Sequence, residues 1–284
     1  MMKKRLTAKN DFIFQRIFGR KENADILLSL LNAILNPSAT EILTEIEILD
    51  NTKLEKDRLD DKLGILDVRA KTKSGFQINI EIQLINQYDM LQRTLFYWSK
   101  MYTEQLLSGE PFNRLKKTIT INIVDFSFIP LKKYHSSYSL RENEETMFCV
   151  TDLIEVHFIE LTKFRALNPD LNQALDRWIL FLEDTKPEVL EMIREKDPAI
   201  AKAEQVLDWL ASDAETVRLY ELREKNIHDE ITRTQGAKEE GLKEGKFKGK
   251  KEVAEKMLTK GVALELISEF TGLTLEDLKK LQQP

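Results

Sequence analysis

The chain has one cysteine, Cys149, so no disulfide can form within it, and this fits a reducing compartment. No stretch approaches the roughly 18 apolar residues that a membrane span requires. The opening Met-Met-Lys-Lys-Arg-Leu-Thr-Ala-Lys-Asn has no apolar run behind it to act as a signal peptide. These absences point to a cytoplasmic protein with no membrane partner. The three histidines, His135, His157 and His228, are too scattered for a zinc site or a histidine nuclease. An excess of positive charge is lacking too. At a net charge of −5 there is no global attraction to nucleic acid, so any DNA-binding surface must be a local cluster of Lys and Arg.

What is present is a helix-rich chain of 284 residues, enough for one substantial core and a smaller second unit. Asn10 or Asp11 can cap a first helix carrying Ile13, Phe14, Ile17 and Phe18, stopped at Gly19. A second helix runs from about Asn23 to Asn36-Pro37 with Ile26, Leu27, Leu30, Leu31, Ile34 and Leu35 at helical spacing. Ile42, Ile46 and Ile48 alternate with polar residues as in a strand, and a charged stretch, Asn51 to Lys62, follows.

Two further alternating segments, Gly64 to Lys71 and Phe76 to Leu84, flank the turn signal Thr72-Lys73-Ser74-Gly75. A three-residue loop with Gly75 at positive φ would pair Thr72 with Phe76. Counting back sets Lys71 opposite Gln77, Arg69 opposite Asn79 and Asp67 opposite Glu81. Any half-buried ribbon shows water a polar face. Yet here the sole acid on one strand meets the sole acid on the other, at a spacing of roughly 5 Å where like charges repel. A hard divalent cation such as Mg²⁺ reconciles the two, because it takes oxygen ligands from one or two carboxylates.

A long helix is expected over about Gln87 to Ser108, with Tyr88, Leu91, Leu95, Trp98 and Tyr102 as its apolar stripe and Gly109 as its stop. Arg93 and Tyr97 lie one turn apart, off that stripe, and are candidates to contact substrate phosphates or to pack. Thr118–Val124 reads as a strand, and another falls within Met147 to Leu161. This order predicts an α/β sandwich around one mixed sheet over residues 1–165. Only helices follow: an extension over 166–235, with starts at Asn168-Pro169 and Asp197-Pro198 and a stripe of Leu171, Leu175, Trp178 and Leu182. Residues 236–284 hold a Gly/Lys/Glu-rich linker and a terminal helical hairpin. Gly236, Gly241, Gly245 and Gly249 predict a weak helix or a hinge. Lys243, Lys246, Lys248, Lys250 and Lys251 are interleaved with Glu239, Glu240, Glu244 and Glu252, which favours a solvated linker over a DNA track. The terminal helices, joined at Thr271-Gly272-Leu273-Thr274, have helix-turn-helix spacing. The acidic second helix argues against groove reading and for packing or homo-oligomerisation.

Leu66-Asp67, thirteen residues, then Glu81-Ile82-Gln83 resembles the core motif of PD-(D/E)XK nucleases, in particular the Rpn-type recombination-promoting nuclease and transposase family. The likeness extends from Asn10-Asp11-Phe12-Ile13-Phe14-Gln15-Arg16-Ile17-Phe18-Gly19 through the hairpin to the helix with Arg93 and Tyr97, over roughly residues 7–130. It implies a restriction-endonuclease-like core and Mg²⁺- or Mn²⁺-dependent DNA endonuclease activity of recombination or mobile-element type. Asp67 and Glu81 would hold the metal, with the Ile82 carbonyl as a further ligand. Gln83 stands where most of the superfamily has the catalytic lysine, and Leu66 replaces the proline. Gln can hydrogen-bond a water but brings no charge; Arg69 or Lys62 could supply it. Asp11 is a candidate accessory acid, or else a helix-start carboxylate. The missing lysine also motivates a rival: a weakly catalytic or inactive nuclease fold that binds nucleic acid or another partner. A transposase of ribonuclease-H type would need widely spaced acids on different strands.

Overall fold

Gly75 turns the chain at φ +92°, a conformation strained for any residue with a side chain. Across this turn the Thr72 N–H donates to the Phe76 carbonyl at 3.0 Å, and the Gly75 N–H to the Thr72 carbonyl at 2.9 Å. The computed structural model describes residues 5–39, 41–49 and 68–281. In it, β2 (Val68–Thr72) runs antiparallel to β3 (Gln77–Gln83) in the register read from the sequence. Val68 faces Ile80, Arg69 faces Asn79, and Lys71 faces Gln77. Asp67, Leu66 and Lys62 lie outside the described residues.

Four more strands complete a mixed sheet: β1 (Ile46–Leu49), β4 (Thr118–Val124), β5 (His135–Arg141) and β6 (Cys149–Glu160). Their order is β1-β2-β3-β4-β6-β5. The β3/β4 and β4/β6 pairs are parallel, the others antiparallel. This is the α/β architecture expected. Strand β1 is shorter than the alternation suggested. The Asn32 side-chain amide binds both the N–H and the C=O of Leu43 at 2.9 Å, doing there what a neighbouring strand would do, and Ile42 is half exposed.

Alternation along β3 and β4 sends Ile78, Ile80, Ile82, Ile119, Ile121 and Ile123 to one face. There they meet α1 (Asp11–Phe18) and α2 (Ala24–Leu35) through Ile13, Phe14, Ile17, Phe18 and Leu27. Asn10 caps α1, accepting from the Phe12 and Ile13 N–H groups. On the other face lies α3 (Met90–Thr103), shorter than expected and rolled over. Its Leu91 and Leu95 are half exposed, while Met90, Thr94 and Met101 are buried. The reason lies in the sheet, which offers α3 the polar row Asn79, Glu81, Thr120 and Asn122. Thr94 answers with a hydrogen bond to Asn122 Oδ1 at 3.2 Å, and the Trp98 indole donates to the Thr118 carbonyl at 2.9 Å.

After a single turn, α4 (Leu161–Phe164), the chain is helical: α5 (Ala174–Leu182), α6 (Pro187–Lys196) and α7 (Pro198–Leu210). Asp197 caps α7 as expected, but α5 starts at Ala174, not at Pro169. Trp178, Ile193, Ile200 and Leu210 join the same hydrophobic core as the sheet.

The chain divides into two compact units, Met1–Lys225 and Asn226–Pro284. Helix α8 (Ala214–Thr259) runs unbroken through Gly236, Gly241, Gly245 and Gly249, where a hinge was the alternative. The Lys and Glu residues between the glycines are good helix formers and offset their cost. In the second unit α9 (Leu264–Thr271) and α10 (Leu275–Leu281) meet through Gly272 at φ +66°. Ile267, Leu273 and Leu278 close over Ala254 of α8.

Candidate active site

Glu81 lies in the middle of the polar row on β3, 2% exposed. A carboxylate buried this deeply needs a compensating charge. Arg93 on α3 brings one, with its Nη2 at 3.5 Å from Glu81 Oε1. The same guanidinium donates through Nη1 to Gln87 Oε1, in the loop leading into α3. Its Nε is buried and finds no hydrogen-bond partner among the described residues. Asn122, beside Glu81 on β4, is held between Thr94 and the His157 carbonyl. One rung away Asn79 Oδ1 and Thr120 Oγ1 are buried without partners among the described residues.

The other sequence candidates are placed less simply. Gln83 donates its amide to the Ile85 carbonyl at 3.0 Å. Arg69 shares the Glu81 face but points its charge at Glu104, 3.1 Å away. Tyr97 is half-buried, its ring edge-on to Phe96. Ile82 sends its side chain into the opposite-face core, so only its backbone oxygen could serve a ligand role. Asp11 is engaged elsewhere: Arg223 of α8 holds both carboxylate oxygens, its Nε at 2.8 and 2.9 Å. Among the described residues no group of three or more His, Cys, Asp or Glu could hold a metal. Glu81 and the Ile82 carbonyl are oxygen donors, which suits a hard divalent cation rather than a soft one.

Sequence reading missed a second polar chain, on the α1/α2 face. Lys117 pairs with Glu155, Glu155 Oε1 lies 2.7 Å from His157 Nε2, and His157 Nδ1 lies 2.9 Å from His135 Nε2. The carboxylate can only accept, so the proton between them sits on His157 Nε2, which donates to Glu155. Burial first, then His157 and Lys133, push His135 down to about 4 from its ordinary 6.5. The hydrogen bond from His157, opposed by burial and aided by Lys117, holds Glu155 at about 2. The unfolded chain therefore takes up a proton at residue 135 that the folded chain refuses. Stability is expected to fall as pH drops from about 6.5 towards 4, and further below 4.5 as Glu155 protonates. Urea midpoints at pH 7 and pH 5 should differ, and His135→Gln should flatten that slope.

Residues 8–237 match a family model described as PD-(D/E)XK nuclease family transposase. The chain belongs to that family. Residues 247–283 of this nuclease-family protein match the C-terminal HTH domain of the Rpn/YhgA-like nuclease family. The terminal hairpin, whose spacing already read as helix-turn-helix, is thus similar to a domain of that kind, and such motifs commonly dock a helix on DNA. Glu276 and Asp277 occupy only the first turn of α10, with Lys279 and Lys280 in its last. No curated protein and no solved structure matches this family member. Among its described residues no helix is long and apolar enough to cross a membrane.

Proposed function

We propose that this protein is a metal-dependent DNA endonuclease of recombination or mobile-element type, hydrolysing phosphodiester bonds with Asp67 and Glu81 as metal ligands. The observation that carries the reading is Glu81, a buried carboxylate on a strand whose register with β2 runs towards Asp67. One further step of that register would set Asp67 opposite Glu81. A bound Mg²⁺ or Mn²⁺ would lower the pKa of a coordinated water and offset charge growing on the phosphate. Glu81 and the Ile82 carbonyl would hold the ion together with Asp67, while Gln83 and Arg93 would orient water and phosphate. The helix-turn-helix would bring DNA to the nuclease unit. The engagement of the Gln83 amide by Ile85 favours a second reading, a nuclease fold with weak catalysis that serves mainly to bind DNA.

Supercoiled plasmid incubated with the protein and Mg²⁺ separates the two. The endonuclease reading expects nicking that a chelator stops and Asp67→Ala abolishes. Equal nicking by Asp67→Ala and the parent would end the assignment.

A further inference from the structure

We propose that Arg93 is a phosphate clamp parked on the metal ligand: the ion pair with Glu81 holds it until a divalent cation takes that carboxylate. The inference rests on the metal-site reading above and concerns how that site is regulated. A planar guanidinium grips two oxygens of a phosphate through paired N–H groups, and Nε with Nη2 forms one such edge. In Arg93 that edge is half used. Nη2 makes one long contact, 3.5 Å, to a single oxygen of Glu81, and Nε is buried with no acceptor among the described residues. The third nitrogen, Nη1, is anchored on Gln87 and does not depend on Glu81. The head group can therefore lose Glu81 and keep its place.

Two consequences follow. A cation and Arg93 compete for one carboxylate, so each weakens the other's hold on it, by the same factor in both directions. Once the cation is bound, Nη2 is released from Glu81 and, with the unpartnered Nε, would have two N–H groups to offer a phosphate held on that ion. Gln83 cannot take that part, because its amide is tied to Ile85 and carries no charge. Arg93 thus provides the positive charge missing at position 83, but only when metal is present. This would suppress phosphate capture by the metal-free protein.

Calorimetric titration of Mn²⁺ into the full chain, without DNA, tests the idea beside plasmid nicking. Arg93→Ala should bind Mn²⁺ about tenfold more tightly than the parent, since its competitor is gone. The same variant should nick about a hundredfold more slowly, having lost a transition-state donor. Arg93→Lys keeps the charge but not the two-pronged edge, so it should bind Mn²⁺ like the parent and still nick slowly. A damaged fold cannot produce tighter binding, so opposite signs in the two measurements exclude a merely structural role. Unchanged or weaker Mn²⁺ binding by Arg93→Ala, with binding still lost in Glu81→Gln, overturns the clamp and leaves the metal site standing. Mn²⁺ binding that survives intact in Glu81→Gln overturns both.

Discussion

Glu81→Gln should slow Mg²⁺-dependent nicking by roughly a thousandfold or more, the scale expected when a group that stabilises transition-state charge is lost from a water-excluded site. The substitution keeps the volume and one carbonyl oxygen, and removes only the negative charge. Glu81 is 2% exposed, so no solvent carboxylate or neighbouring chain can replace it. Arg93 makes the effect steeper: with Glu81 neutral, its guanidinium would stand beside the site as an uncompensated cation and repel the metal. Single-turnover nicking at saturating Mg²⁺ is the measurement. A rate within tenfold of the parent would mean that Glu81 is not a metal ligand, and the residual activity would have to come from elsewhere in the chain.

Trp178→Ala should cost about 3–5 kcal/mol, the usual range for emptying a buried aromatic site. The indole is fully buried, edge-on to Phe18 at 5.7 Å and to Phe181 at 5.8 Å, and its N–H reaches Ser29 Oγ at 3.3 Å. Those contacts tie α5 to α1 and α2, beneath the strands that carry Glu81. Typical stabilities are only about 5–15 kcal/mol, so the variant should unfold at a far lower urea concentration than the parent. Trp209, 66% exposed on α7, is the control. Its replacement by Ala should change stability by no more than about 0.5 kcal/mol. Similar losses for the two variants would show that the helices after residue 165 do not share the core of the sheet.

The hairpin was legible because its signal is local. Alternation, a three-residue loop and one glycine at positive φ together determine which residues face each other, and Arg69 meets Asn79 as counted. The orientation of α3 was not legible. Its apolar residues suggested a stripe through Leu91 and Leu95, but the sheet beneath is lined by Asn79, Glu81, Thr120 and Asn122, so Arg93 and Thr94 turn inward. Helical periodicity assumes an apolar partner, and a functional sheet face violates that assumption. Strand β5 gave no warning either, since His-Ser-Ser-Tyr-Ser-Leu-Arg has little apolar alternation and pairs through its backbone with β6. The role of Asp11 depended on Arg223, more than two hundred residues away, a distance at which sequence pattern is silent. The helix-turn-helix was visible in its spacing but obscured by its charges, because acids crowd the start of α10 and lysines its end.

The ion itself offers the sharpest check. Anomalous diffraction from crystals soaked in Mn²⁺ should reveal one strong peak about 2.0–2.3 Å from a Glu81 carboxylate oxygen, with the Asp67 carboxylate on its other side. A peak that touches neither residue, or Mn²⁺ bound only at the surface while Glu81 stays on Arg93, would contradict the shared cation on which the proposed activity depends.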